Sequence, residues 1–313
     1  KDGEVNYIKI RSDFFVPSRQ NLKKQDSRKL GVVLYDETEA GLLKKIFLKI
    51  LGYIPMFLIT YPSDLKFLKS YNEIVTISEF SKYWIGKYWK KESRILFPPV
   101  DTESFEIGLK QKIILSVGRF FPEHHNKKQY ELALAFIDMI KSNPEDMDGY
   151  RLILAGGLEN RETHVRYVEK IKEAVSGYPI EIMTNISWNE LKSLFSKSLI
   201  FWHASGLNED ENKTPAKFEH FGITTVEAMS AGCIPVVINR GGQKEIIEES
   251  VNGFKFDDIS ELKTKTLNVI KNYKEIEKIK FKARNDSQRY SNKNFEDNLL
   301  KIISEACVQL KKD

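Results

Sequence analysis

FEHFGITTVEAMSAGCIPVVI, residues 218 to 238, reads as a loop, a helix and a strand in direct succession. Gly222 frees the backbone to turn, the two threonines after it can cap, and Val226, Met229 and Ala231 supply apolar spacing. A helix is therefore expected from about Ile223 or Thr224 to Gly232, followed by a buried strand from Ile234 to Ile238. A helix start leaves several N–H groups without intrahelical partners and carries partial positive charge. A phosphate placed there gains hydrogen bonds and roughly 0.3–2 kcal/mol from the dipole. The turn formed by His220, Phe221, Gly222, Ile223 and Thr224 is thus a candidate diphosphate seat.

Glu219 and Glu227 stand eight positions apart on either side of that turn. Glu219 precedes the helix and faces whatever is attached beyond the phosphates. Glu227, one turn inside, can accept two hydroxyl hydrogen bonds, as a ribose diol offers. Such spacing also occurs on many surface helices, so the surrounding string has to carry the assignment.

Outward from this unit the pattern is regular. Strands are expected at Lys112 to Val117, Tyr150 to Ala155, Pro179 to Thr184 and Leu199 to Trp202. Helices are expected at Lys127 to Ile140, Glu159 to Ser176, Glu245 to Glu249 and Ile259 to Tyr273. Ser187 and Glu190 form a capping box for one more helix. Strands separated by helices of this length imply a parallel sheet covered on both faces, with ligand at the C-terminal strand ends. Upstream, strands are read at Val5 to Ile10, Gly31 to Tyr35, Ile54 to Thr60 and Glu73 to Ile77. Residues 17 to 29 read as a polar loop, Ser78 caps a helix to about Trp89, and RILFPP is a strand that stops at its prolines. Beyond Lys274 the chain reads as helical and charged, the last helix lying at Phe295 to Leu310.

The 313 residues are 41% hydrophobic and 30% charged, an ordinary globular composition with room for two cores. A net charge of +5, from 49 basic and 44 acidic residues, is too even a mixture to mark a nucleic-acid binder. Two cysteines, Cys233 and Cys307, fit a reducing cytosolic compartment, and Cys233 reads as a buried inert thiol. No apolar run spans a bilayer, and a first residue other than methionine suggests a processed or truncated product. The window LLKKIFLKIL, residues 42 to 51, has the layout of a basic amphipathic helix. It reads first as a helix covering a sheet and second as a contact with an anionic membrane.

Four strand ends converge on one groove in such a sheet. The first is SVGRF, where Gly118 turns the chain, Arg119 follows directly, and Lys127 and Lys128 stand at the next helix start. Cations there can neutralise a diphosphate leaving group at about 1.5–3 kcal/mol per charge-assisted hydrogen bond. The second end carries Gly156 and Gly157, the third lies near Ile186, and the fourth follows FWHASG. His203 with Glu209, Asp210 and Glu211 has no second histidine at ligand spacing, so a solvated acidic loop is the preferred reading. His124 and His125 read as a surface loop, and no metal site is expected.

The string from Phe218 to Ile238 resembles the E-x7-E element of the retaining glycosyltransferases of glycosyltransferase family 4. The string WHASG, the loop after it and EHFGITTVEAM resemble a subset of that family in bacterial and archaeal surface-polysaccharide synthesis, and Gly241, Gly242 and Glu245 in NRGGQKEII fit the same family pattern. The resemblance implies an α/β chain of the GT-B class, two facing Rossmann-like domains with parallel sheets. The N-terminal one, residues 1–106, is incomplete, the C-terminal one spans 107–274, and helices follow from 275 to 313, the last of them crossing back to the first domain. It implies a cytoplasmic enzyme, peripheral on the inner membrane face, that moves a sugar with retention from a nucleotide-diphosphate sugar to a glycan or lipid-linked acceptor. UDP- and GDP-linked donors stay open, and no metal or other cofactor is implied. Glu219, Arg119 and Lys127 would be catalytic. Gly118, Gly156, Ile186 by its backbone, His220, Phe221, Gly222, Ile223, Thr224 and Glu227 would hold the donor. A retaining glycosidase would need carboxylates about 5–5.5 Å apart across the scissile bond, a task that Glu219 and Glu227 do not share. Residues 1 to 123 contain no histidine and no Gly-Gly pair where the family usually has them, so slow turnover by the chain alone is expected. The rival readings are a non-catalytic donor-binding module and a nucleotide-sugar epimerase.

Overall fold

Strands rich in Ile, Leu and Val alternate with amphipathic helices, and they assemble a six-stranded parallel sheet beside a small two-stranded one. The computed structural model describes residues 73–309 apart from 124. The strands and helix read before residue 61, the 42–51 window and His124 lie outside the described residues. The chain enters with β1 (Val75–Thr76), α1 (Glu79–Trp89) and β2 (Arg94–Ile95), where β1 and β2 pair in parallel. The Ser78 hydroxyl accepts from Ser81 N–H and caps α1, as its sequence predicts. The RILFPP strand is shorter than expected, because its pairing with β1 ends at the Leu96 N–H, which donates to the Thr76 carbonyl at 2.8 Å.

The main sheet follows with β3 (Gln111–Val117), α2 (Gln129–Ser142), β4 (Arg151–Gly156), α3 (Glu162–Ala174) and β5 (Ile180–Thr184). It continues through α4 (Trp188–Lys197), β6 (Ser198–His203), α5 (Ile223–Ser230) and β7 (Ile234–Ile238). Then come α6 (Gln243–Ile246), β8 (Phe254–Phe256), α7 (Ile259–Lys271), α8 (Tyr273–Ser287) and α9 (Asn292–Gln309). All sheet pairs are parallel, in the order β5-β4-β3-β6-β7-β8. Strand order therefore reverses direction between β3 and β6, the crevice where ligands of such sheets bind.

Two differences from the sequence expectation have simple causes. Strand β8 escapes period-based reading because three residues, FKF, are too few to show one. Its existence depends on pairing with β7. The short helix begins at Gln243 rather than Glu245, since Gly242 supplies its start. The core lies on both faces of the sheet. Ile114, Leu132, Phe136, Leu152 and Trp202 fill one side, and Ile113, Leu115, Ile153, Phe195 and Phe201 the other. Each such side chain contributes roughly 1.5–3 kcal/mol on burial. Trp202 keeps its indole N–H paired with Thr266 Oγ1 at 2.9 Å. The final helix returns to the entry segment, where Glu305 meets Arg94 at 2.5 Å and Ser291 bridges Val100.

Candidate active site

The C-terminal ends of β3, β4, β6 and the start of α5 meet over the strand-order reversal. Gly222, with φ 126°, takes the N-cap position of α5, and no side chain caps the helix. The threonines do not serve as caps. The Thr225 hydroxyl instead reaches back to Gln243 Oε1 at 2.9 Å, so the first N–H groups of α5 stay available. The turn is held from behind by glycines. A Cβ on Gly242 would stand 2.4 Å from the His220 carbonyl oxygen, and one on Gly241 the same distance from that of Glu219. Gly242 N–H donates to the Glu219 carbonyl at 2.7 Å.

Glu219 is the centre of a half-buried charge cluster. Its carboxylate is bonded to the Lys127 ammonium and lies 3.1 Å from His203 Nε2. Burial pushes the Glu219 carboxyl up, but the Lys127 charge and the His203 hydrogen bond more than reverse this and hold it well below the usual carboxylate range. His203 closes β6 and is buried; burial lowers its pKa, and the imidazole is neutral at pH 7. Since a carboxylate only accepts, the His203 proton sits on Nε2. Lys128, the neighbour of Lys127, goes elsewhere: its ammonium is 3.2 Å from Glu209, which Lys217 also meets at 2.8 Å. Glu209 is thus an anchor for the 205–217 loop and not part of a solvated acidic loop.

Arg119 follows β3 with its side chain exposed, and its guanidinium carbon lies 5.9 Å from the Phe121 ring centre. The bend after Gly118 is fixed by Gln129, which is buried and donates to the carbonyls of Gly118 and Arg119 at 3.2 and 3.0 Å. Gly156 packs so closely under that bend that a Cβ would stand 1.9 Å from the Gly118 oxygen. Beside Ile186, Asn185 adopts φ 57° and its side chain bonds both polar backbone groups of Leu158. His220 lies between two rings, Phe80 and His125, at 5.7 Å each. His125 therefore belongs to the site, not to a plain surface loop, and burial with the nearby His220 and Lys127 depresses its pKa.

Ile223 and Thr224 stay accessible at the helix start. The Phe221 ring packs in the core, 5.1 Å from Tyr290 and 5.9 Å from Phe97, which leaves the backbone of this position to face a ligand. Glu227 is 5% exposed on α5. His203, Gln129, Asn185 and Gln243 are the site residues that sequence reading misses. The one signal for His203 was its place at the end of a predicted strand; Gln129 and Asn185 act through backbone groups and Gln243 through the Thr225 hydroxyl, contacts that no motif displays. Cys233 is buried, donates to the Phe195 carbonyl at 3.1 Å and has its thiol pKa pushed up by burial. Among the described residues no three His, Cys, Asp or Glu side chains gather as a metal set, and no helix is long and apolar enough to cross a membrane.

Among curated proteins, the chain is similar to a Xenopus laevis protein named GDP-Man:Man(3)GlcNAc(2)-PP-Dol alpha-1,2-mannosyltransferase. The two are 32% identical over 228 residues, 68% of this chain and 44% of the relative. The human protein of that name is 29% identical over 254 residues, 75% of this chain and 49% of its own. The chain spans under half the length of these relatives. Among solved structures, a Rickettsia africae glycosyltransferase superposes with a TM-score of 0.62 at 20% identity, over 81% of this chain and 68% of its own. Anabaena HepE with UDP and glucose gives 0.61 at 18%, over 74% and 63%. At such identities the likeness is one of fold, and the fold is GT-B. The model of the family described as glycosyl transferases group 1 matches residues 99–286, more than half of the 313. That span takes in Arg119, Lys127, His203, Glu219 and Glu227, so the chain belongs to the group 1 glycosyl transferases.

Proposed function

We propose that this chain carries the donor half and reacting groups of a retaining mannosyltransferase that uses GDP-mannose and a lipid-linked glycan. The observation that carries the reading is the Lys127–Glu219–His203 cluster set beside the uncapped start of α5. The donor diphosphate lies on the free N–H groups after Gly222, with Arg119 over it and Glu227 toward the ribose. Leaving-group charge is then met by Arg119, Lys127 and the helix start, so the reading calls for no metal ion. Glu219, kept ionised, accepts hydrogen bonds from sugar hydroxyls. The relatives' printed donor, GDP-Man, favours the guanine nucleotide over UDP, and their printed acceptor, a glycan on PP-Dol, supports the lipid-linked acceptor.

Calorimetric titration with GDP, UDP and ADP tests this directly, combined with transfer from GDP-mannose and determination of the product anomer. GDP is expected to bind at about micromolar strength, roughly −8 kcal/mol, and to weaken at least tenfold in Arg119→Ala and in Glu227→Ala. Preference for UDP, indifference to both substitutions, or an inverted anomer would each defeat the proposal.

A further inference from the structure

Two cavities of opposite character adjoin along α1. The first, about 650 Å³, opens between the start of α1 and the 209–212 loop and is lined by Phe80, Tyr83, Asp210, Glu211, Arg240 and Lys244 among others. Its bases are engaged, Arg240 with Asp257 and Lys244 with Glu211, at 3.6 Å each. Phe80 ties this cavity to the site, because its ring lies 5.7 Å from that of His220. The second, about 1150 Å³, runs between α1, β2 and α9 and is lined by Lys82, Lys87, Lys91, Arg94 and Lys301, with Glu79 and Glu92 as its acids. Glu79 and Tyr83 line both.

The cations of the second cavity differ in their engagements. Arg94 is bound to Glu305 at 2.5 Å, Lys87 lies 4.4 Å from the Trp84 ring centre, and Lys82 is 4.0 Å from Glu79. Lys91 and Lys301 meet no carboxylate among the described residues. We propose that the two cavities take the two ends of one acceptor, hydroxyl-rich sugar in the first and the phosphate of its carrier in the second. This rests on the acceptor reading above. Carboxylates accept hydroxyl hydrogen bonds and repel anions, while the 58% exposed Tyr83 ring at the junction offers an apolar face to sugar C–H groups. Free ammonium groups attract phosphate as point charges. Fixing the phosphate at one end then determines which sugar reaches Glu219, so the pair of cavities selects acceptors by glycan length.

The test is the double variant Lys91→Glu/Lys301→Glu in the whole chain, with Arg94 left in its ion pair to keep the fold. Transfer from GDP-mannose is measured to a mannose oligosaccharide on phytanyl pyrophosphate and to the same oligosaccharide with a free reducing end. KM for the pyrophosphate-linked acceptor is expected to rise at least tenfold, with KM for the free glycan and GDP affinity within twofold of the original. Equal effects on both acceptors, or none on either, would overturn the proposal. If neither acceptor is used at all, the transferase reading fails and inorganic pyrophosphate decides the cavity alone. Titrated into GDP-saturated protein, it should bind at least tenfold more weakly to the double variant, and equal binding would overturn the site. Co-sedimentation with phosphatidylglycerol vesicles should be the same for both proteins. A loss confined to vesicles would assign the bases to bilayer headgroups and overturn the acceptor role.

Discussion

Glu219 keeps its charge in a half-dry site because two neighbours offset its desolvation. The Lys127 ammonium supplies the larger electrostatic share and His203 the second hydrogen bond. Glu219→Gln keeps the shape and removes the charge, so kcat/KM is expected to fall about 10- to 100-fold, roughly 1.4–2.7 kcal/mol, with GDP affinity little changed. Steady-state kinetics beside calorimetry separates the two effects, and an equal loss in both would contradict the assigned role. The pH dependence of folding has its own residue-level cause. The folded pKa of His203 lies below the ordinary imidazole value, so the unfolded chain takes up that proton first. Its contribution is complete at neutral pH and is lost as pH falls through about 6.5, before the Glu219 contribution fails below about 4.3. Thermal unfolding from pH 7 to 5 should show a declining midpoint, with a shallower decline in His203→Gln. An unchanged slope in that variant would exclude His203 as the source.

Among the elements, those defined by local chemistry are legible in the sequence. The box of Ser187 and Glu190 is present in both directions, with the Ser187 hydroxyl accepting from Glu190 N–H at 3.3 Å and the Glu190 carboxylate accepting from Ser187 N–H at 2.8 Å. The strands β3, β4, β6 and β7 fall within a residue or two of their expected limits because a buried parallel strand is a short, mostly apolar run, and the edge strand β5 does so by the alternation of Ile180, Glu181 and Ile182. What the elements do to one another was not legible. Gly156 looks like any turn glycine, yet it lets β4 lie against the Gly118 bend at a distance no side chain permits. Gly156→Ala is expected to cost about 1–3 kcal/mol and lower the melting temperature, since both atoms in conflict are backbone. It should also weaken GDP binding, because the bend carries Arg119. A variant with unaltered melting temperature and affinity would show that the two strand ends move apart without consequence.

At the scale of the whole molecule, one carboxylate joins the entry segment to the sheet. Glu245 in α6 accepts from the N–H groups of Glu79 and Phe80 at 2.7 and 2.6 Å, so it acts as a remote cap for α1. Glu245→Ala should destabilise the protein by about 1 kcal/mol, as loss of a helix cap does, and raise acceptor KM while leaving GDP affinity as it is. Parallel changes in both affinities would show that the contact serves the donor side as well. The sequence by itself determined the succession of strands and helices, the parallel sheet and the glycine turn that opens α5. Hydrophobic period, glycine placement and cap chemistry are local, and each is written within a few residues. Only the tertiary structure decided that Lys127 meets Glu219, Lys128 meets Glu209, His203 backs the carboxylate and Glu245 caps α1. These are pairings across 92, 81, 16 and 166 positions of chain. They exist because the strand order brings distant strand ends to one crevice, and no local pattern encodes that distance.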